Sequence, residues 1–197
     1  MADISEVIDA LGGYIGDVVY PNGENQPSIV NAQIKVVQGW PVESELTQIL
    51  RSGGVMISIF PRPGDKVTWE RMGDMDWEEQ SNNSSTGVSI RELRRQTKTL
   101  QITIWGSTPS KRDPVSKSLD VALASLDRIM LPDGTQGIIR YVNSIQDDTL
   151  QKQGIYRRDF MYSVNYSITQ TLDGFAIKEV DVGVTYKAID VNVQSTN

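Results

Sequence analysis

The residues whose chemistry could be catalytic are few. Asp74, Asp76, Glu78 and Glu79 crowd into GDMDWEEQ, and Asp147-Asp148 form an adjacent pair. The first group lacks the glycine and the distal glutamate of a calcium-binding EF-hand loop, so its pattern reads as a solvated acidic loop. A glycosidase needs two carboxylates held across a cleft, whereas Asp147-Asp148 sit in a polar stretch, DDTLQKQG, that reads as a hairpin loop. The chain contains no histidine and no cysteine. Ser-His-Asp, Cys-His, zinc-histidine and thiolate chemistry are thereby excluded, leaving carboxylates, lysine and tyrosine. No G-x-x-x-x-G-K-[ST] loop and no G-x-G-x-x-G after a strand is present, so there is no phosphate cradle. No catalytic residue, metal ligand or cofactor site is assigned.

Charge points instead to contacts between proteins. Arg91, Arg94, Arg95 and Lys98 make one extended stretch locally basic against a single Glu92. That stretch is a candidate docking surface for an acidic neighbour, such as the 73–79 loop of another copy. Such pairing would set register more than affinity. The whole chain is acidic, with 25 Asp and Glu against 19 Lys and Arg, a net charge of −6. Bulk electrostatic attraction to nucleic acid is therefore not expected. Trp40, Trp69, Trp77 and Trp105 are scattered, a pattern of core or interface packing rather than base stacking. No run of about 18 apolar residues is present, and the acidic start MADISEVIDA does not resemble a signal peptide.

The elements that would carry these residues follow from periodicity. Ile4, Val7, Ile8, Leu11 and Ile15 predict a helix over 3–17, capped by Asp3 or Ser5 and weakened at Gly12-Gly13. A strand over 34–37 precedes a helix opened by Trp40-Pro41, with Val42, Leu46, Ile49 and Leu50 on its apolar face. Val55–Phe60 reads as a central strand, PRPGD (61–65) as a turn, 66–72 as a short strand and 73–87 as a loop. Residues 88–105 read as one extended or bent strand, or as two, and Leu100, Ile102 and Ile104 alternate there with Gln101, Thr103 and Trp105. Asp113 then stands as an N-cap with Pro114 at the first helical position, and Val115, Leu119, Leu123, Leu126, Ile129 and Met130 continue the stripe.

Asp133-Gly134 marks a turn, 138–145 a strand, and 155–171 the clearest strand of all, with an aromatic face (Tyr156, Phe160, Tyr162, Tyr166) and a mostly polar one. Asp173-Gly174 reads as a turn into a further strand over 175–186. Residues 187–197 alternate weakly at Ile189, Val191 and Val193, as a tail or as an arm that adds to a neighbour's sheet. The predicted organisation is one α/β domain over 1–174 with a C-terminal strand and arm over 175–197. The polar turn 107–113 is expected to project toward a neighbour, so that Arg112→Glu would spare folding, while Leu123→Ala would cost about 2–5 kcal/mol.

Several segments, IWGSTPSKRDPVSKSLDVALASL, LPDGT, YRRDFMYSVNYSIT, WPVESELTQIL and VMISIFPRPGD, together resemble the tail terminator (neck) proteins of contractile-tailed bacteriophages, over residues 30–170. The resemblance implies an α+β fold with a mixed, mainly antiparallel sheet packed by two or three helices. It implies a homo-hexameric ring in the virion tail or neck, made in the host cytoplasm. That ring would cap the tail tube, end tail polymerisation, contact the last sheath ring and join the head-side connector or collar. Genomic DNA would cross the lumen without specific binding, no membrane would be involved, and an acidic chain suits that passage. A closed ring needs two different complementary patches per copy. The basic segment (Arg91, Arg94, Arg95, Lys98) and the acidic loop (Asp74, Asp76, Glu78, Glu79) are the candidates. Arg157, Arg158, Asp159, Arg112 and Asp113 are candidates for tube or sheath contacts, with helix capping the competing reading for Asp113. Two other readings stay open: another neck or tail component, such as a head-completion adaptor or tube-like protein, and a carboxylate-dependent hydrolase.

Overall fold

The computed structural model describes residues 3–68, 77–80 and 86–175. Helix α1 spans Ile4–Val19. Asp3 caps it, accepting from the Ile4 amide at 2.6 Å while Glu6 accepts from the Asp3 amide at 3.2 Å, a reciprocal capping box. The helix does not fray at Gly12-Gly13. Leu11 before the pair and Ile15 and Val19 after it are all fully buried, and that burial outweighs the roughly 1 kcal/mol each glycine costs.

Strand β1 (Ile34–Gln38) leads through Gly39 to helix α2 (Glu43–Arg51). Pro41 lies ahead of this helix, and Val42, its N-cap, is 65% exposed rather than part of the apolar face. Leu46, Ile49 and Leu50 form that face alone. Strand β2 runs Val55–Thr68. PRPGD does not reverse the chain: Pro61 faces Leu100 and Asp65 faces Lys98, so the segment is a bulge inside one strand. Gly64 absorbs the irregularity with φ +95°.

Strand β3 (Trp77–Gln80) lies within the segment read as loop and pairs with β4 (Thr86–Gly106), which is a single strand irregular between Glu92 and Arg94. Helix α3 spans Pro109–Ala124. It starts earlier and ends earlier than periodicity predicted. Thr108 is the N-cap, Pro109 rather than Pro114 occupies the first turn, and Asp113 lies within the helix. Ile129 and Met130 belong to strand β5 (Arg128–Met130), which turns at Asp133-Gly134 into β6 (Gln136–Asp147). A short 3-10 turn (Gln151–Gln153) precedes β7 (Tyr156–Phe175). Asp173-Gly174 is not a turn, since it continues β7 opposite Val88 and Gly87. The proposed arm beyond Phe175 lies outside the described residues.

The strands form one mixed sheet, ordered β1-β2-β4-β7-β6-β5, with β3 also against β4. Only β1–β2 is parallel. This is the α+β class, with the mixed, mainly antiparallel sheet that the resemblance implied. Helices α1 and α3 cover one face, meeting Ile57, Ile59, Ile102, Ile104, Phe160 and Val164 in the main core. The two helices are tied by the Tyr14 hydroxyl, which donates to the Ala122 carbonyl at 2.9 Å. Helix α2 covers part of the opposite face, where Leu46, Ile49 and Leu50 meet Met56 and Trp105. The second face of β7 is therefore not wholly solvent-facing: Asp159, Ser167 and Thr169 are buried.

Candidate assembly interface

Beside the small apolar cluster under α2, the second sheet face carries a polar row. Met56, Trp105 and Arg157 lie side by side across β2, β4 and β7, as do Ser58, Thr103 and Asp159. Ser58, Thr103 and Asp159 are buried, and the Trp105 indole N–H donates to Ser58 Oγ at 3.4 Å. A buried carboxylate must be compensated. Arg157 does so with a two-pronged pair, Nε to Oδ1 at 2.9 Å and Nη2 to Oδ2 at 2.6 Å. The same guanidinium lies 5.2 Å from the Trp40 ring and 5.1 Å from the Trp105 ring. Trp40 packs edge-on against Phe60 and Trp105, each at 5.7 Å.

Trp40 nevertheless leaves 49% of its surface exposed, and Ile145, which faces Asp159 in the neighbouring strand, leaves an equal 49%. Partly buried Met161 sits beside Gln101, which accepts from Arg62 Nη1 at 3.2 Å. Trp, Phe, Met and Arg around an accessible apolar centre is the composition enriched at protein–protein contacts. Arg157 and Asp159 were singled out from sequence, and Trp40 only as one of four tryptophans suited to core or interface packing; Phe60, Ile145, Met161 and Arg62 were not. The signal for Trp40 was its place before Pro41, but sequence spacing says nothing of its 5.7 Å approach to Trp105.

Arg112 and Asp113 are placed differently from the expectation. Arg112 does not project from the sheet edge. It is 2% exposed, on the inward face of α3 with Val115, Ser116, Leu119 and Leu123. Its guanidinium pairs with Asp113 at 2.8 Å and with Asp148, and lies 5.9 Å from the Tyr156 ring centre. A helix beginning at Pro109 brings Arg112 against Gly106, where an added Cβ would sit 2.9 Å from the Arg112 Cβ. Arg112 is thus an internal strut, and Asp113 its partner rather than a cap.

The Asp147-Asp148 pair serves the same loop. Asp148 holds Arg112, and Asp147 Oδ1 accepts from the Thr149 amide at 3.0 Å. The backbone hydrogen bond from Thr149, then its side chain, hold the Asp147 carboxyl below its ordinary value, the opposite of what a general acid requires. Among the described residues no group of three or more acidic side chains is placed to hold a metal ion, and no helix is long and apolar enough to cross a membrane.

The charged cluster lies elsewhere. Arg95 and Lys98 occupy β4 between β2 and β7, opposite Thr68 and Asp65 on one side and Ser167 and Val164 on the other. Arg91 lies between β3 and β7. At Arg91, Arg95 and Lys98 both backbone edges are therefore used. Arg94 is exposed; Arg95 is half-buried and pairs with Glu92 at 3.0 Å. Glu78 and Glu79 stand in register with Ile90 and Ser89 of the same chain. Asp74 and Asp76 lie outside the described residues. From Lys98 to Trp105 the strand advances about 23 Å, so the basic cluster and the Trp40–Arg157 patch are separate surfaces. Arg158, the remaining candidate, stacks its guanidinium 5.0 Å from the Phe160 ring centre near the start of β7.

No family model matches the sequence, and no curated protein matches it. Solved structures do. One is the PVC sheath/tube terminator of an extracellular contractile injection system, determined by cryo-EM in its extended state. The identity is 11% and the TM-score 0.50; the match covers 100% of this chain and 66% of that one. The chain thus spans about two thirds of that protein's length. In fold, this chain is similar to the sheath/tube terminator of a contractile injection system, as its resemblance to phage tail terminators implied.

Proposed function

We propose that the protein is a structural tail terminator, with no catalytic role. Six copies form a ring that caps the tail tube, stops its polymerisation, touches the last sheath ring and joins the tail to the head-side connector or collar. Its place is the virion tail or neck, and genomic DNA crosses its acidic lumen without specific binding. The observation that carries this reading is the agreement between two likenesses. The sequence segments resemble phage tail terminators, and the fold resembles a sheath/tube terminator across the whole chain.

The chemistry of the surfaces supports it. Asp147, Asp148 and Asp159 each serve a loop or an arginine. The Trp40–Arg157 patch has the composition of a docking face, and the basic residues of β4 offer a charged one. The first is assigned to the tube end and the second to the ring, whose heterologous contact needs two unlike surfaces.

Native mass spectrometry of the purified chain tests the ring. A hexamer in equilibrium with monomer is expected. A stable dodecamer, or a monomer at every concentration, overturns the assignment. Trp40→Ser, which removes the exposed centre of the aromatic patch, is expected to leave the hexamer intact and to abolish its binding to tube ends. Undiminished capping by this variant would remove the patch from the docking face.

A further inference from the structure

Strand β1 is the edge of the sheet, and its outer side is built to receive another strand. Its ladder to β2 fixes which backbone groups point outward. The Val55 amide donates to the Gln33 carbonyl and the Gly39 amide to the Ile59 carbonyl, both at 2.8 Å. In a parallel pair with unbroken register, residues 35 and 37 therefore also face β2, and residues 34, 36 and 38 face away. The outward groups of Ile34 are closed by one side chain: its amide donates to the Tyr20 hydroxyl at 2.8 Å, and that hydroxyl donates to its carbonyl at 2.9 Å. Among the described residues no strand pairs with the outward amides and carbonyls of Val36 and Gln38.

Those groups open into a groove of about 750 Å³ between β1 and α1. Gly12, Gly13 and Gly16 line its helical wall. A methyl group added at Gly13 or Gly16 would meet nothing within 4 Å. Packing inside the protomer thus explains neither glycine, although each costs α1 about 1 kcal/mol relative to alanine. A backbone entering from outside does explain them, because it needs a wall without side chains.

We propose that residues 187–193 of a neighbouring copy occupy this groove as an added strand, hydrogen-bonded to Val36 and Gln38. The inference rests on the ring reading. Ile189, Val191 and Val193 alternate with polar residues, so a strand there turns one apolar face to the glycine wall and one polar face to water. Reach favours a neighbour over the same chain. Val36 lies in register with Ile57, Ile104 and Arg158. From Arg158 to Phe175, β7 runs about 56 Å away from that level. The sixteen steps from Phe175 to Val191, fully extended, cover about 53–58 Å, which leaves no slack for the three strand spacings, about 14 Å, between β7 and its own β1. Chain exchanged this way around a ring links each copy to the next.

The chain has no cysteine of its own, so introduced ones report cleanly. A tagged Gln38→Cys chain is mixed with an untagged Val191→Cys chain and treated with a short bis-maleimide. The expected result is a cross-link between tagged and untagged chains. Val36→Pro removes only an outward amide and spares the ladder to β2; it is expected to raise the concentration for half-assembly at least tenfold with unchanged circular dichroism. Should that variant misfold, Val191→Asp with Val193→Asp applies the same test from the other partner. Rings assembled from the two cysteine variants without any cross-link, or a cross-link only within one chain of a Gln38→Cys, Val191→Cys double variant, overturn the strand exchange and leave the ring standing. A cross-link between chains in an assembly other than a hexamer upholds the exchange and overturns the ring.

Discussion

Replacing Arg112 by alanine should destabilise the fold by about 2–4 kcal/mol. Breaking a buried ion pair by removing one partner costs about 3–5 kcal/mol when the other is left buried. Here Asp148 is 33% exposed and Asp113 more so, so water recovers part of that loss. Against this stands the packing of the Arg112 stem on Gly106 and Tyr156, also lost on truncation. Glutamate at this position is worse, because a third carboxylate would join Asp113 and Asp148 in a site that excludes water from its centre. Methionine, which keeps the stem and drops the charge, should cost less than alanine. Urea denaturation followed by circular dichroism reads the difference. With a slope of about 2 kcal/mol per molar urea, a loss of 3 kcal/mol moves the midpoint by about 1.5 M. An alanine variant whose midpoint stays within about 0.2 M of wild type would refute the strut, and so would a glutamate variant as stable as the methionine one.

Leu123, buried on the inner stripe of α3, should cost about 2–5 kcal/mol when cut to alanine, read by the same denaturation. Tyr162 carries a buried hydroxyl with no hydrogen-bond partner among the described residues, and burial, with smaller contributions from Asp120 and Tyr141, pushes it up to about 12. Tyr162→Phe should therefore match or exceed wild-type stability by up to about 1 kcal/mol. Because the folded chain holds that proton more tightly than the unfolded chain, stability should fall as pH rises from 10 toward 12. Phenylalanine should remove this component of the alkaline loss, and an unchanged alkaline profile would contradict it. At Asp133, burial raises the carboxyl, but hydrogen bonds from the Thr169 hydroxyl and from the Thr135 hydroxyl and amide lower it further, for a net lowering. Its contribution is full above the unfolded carboxylate range and is lost as pH falls through the lower folded value. Asp133→Asn should flatten stability below pH 4; an acid limb identical to wild type would exclude that role.

Elements with a short, regular period were legible in the sequence. The Leu100–Ile104 alternation, the stripe of α1 and the aromatic face of β7 each state their own geometry, because side-chain direction follows backbone period alone. The local caps were half legible. Asp3 with Glu6 makes a recognisable box, but Pro109 and Pro114 can each open a helix. The choice fell to Pro109 because burying Arg112 against Gly106 and Tyr156 extends α3 by a turn, and an arginine does not register as part of an apolar stripe. PRPGD and Asp173-Gly174 carry turn chemistry yet continue strands, since β4 offers partners on both sides that local propensity cannot see.

The amino-acid sequence by itself determined what chemistry is missing, which faces alternate and where charge concentrates. All three depend on residue type and spacing along the chain. The tertiary structure alone decided which charges meet. Arg157 and Asp159, two positions apart on one strand, pair over a cage that needs Trp40 from one connection and Trp105 from another strand. Arg112 reaches Asp148 across 36 positions of chain. A buried charge is stable only where distant segments converge to satisfy it, and convergence is a property of the folded sheet rather than of any stretch of sequence.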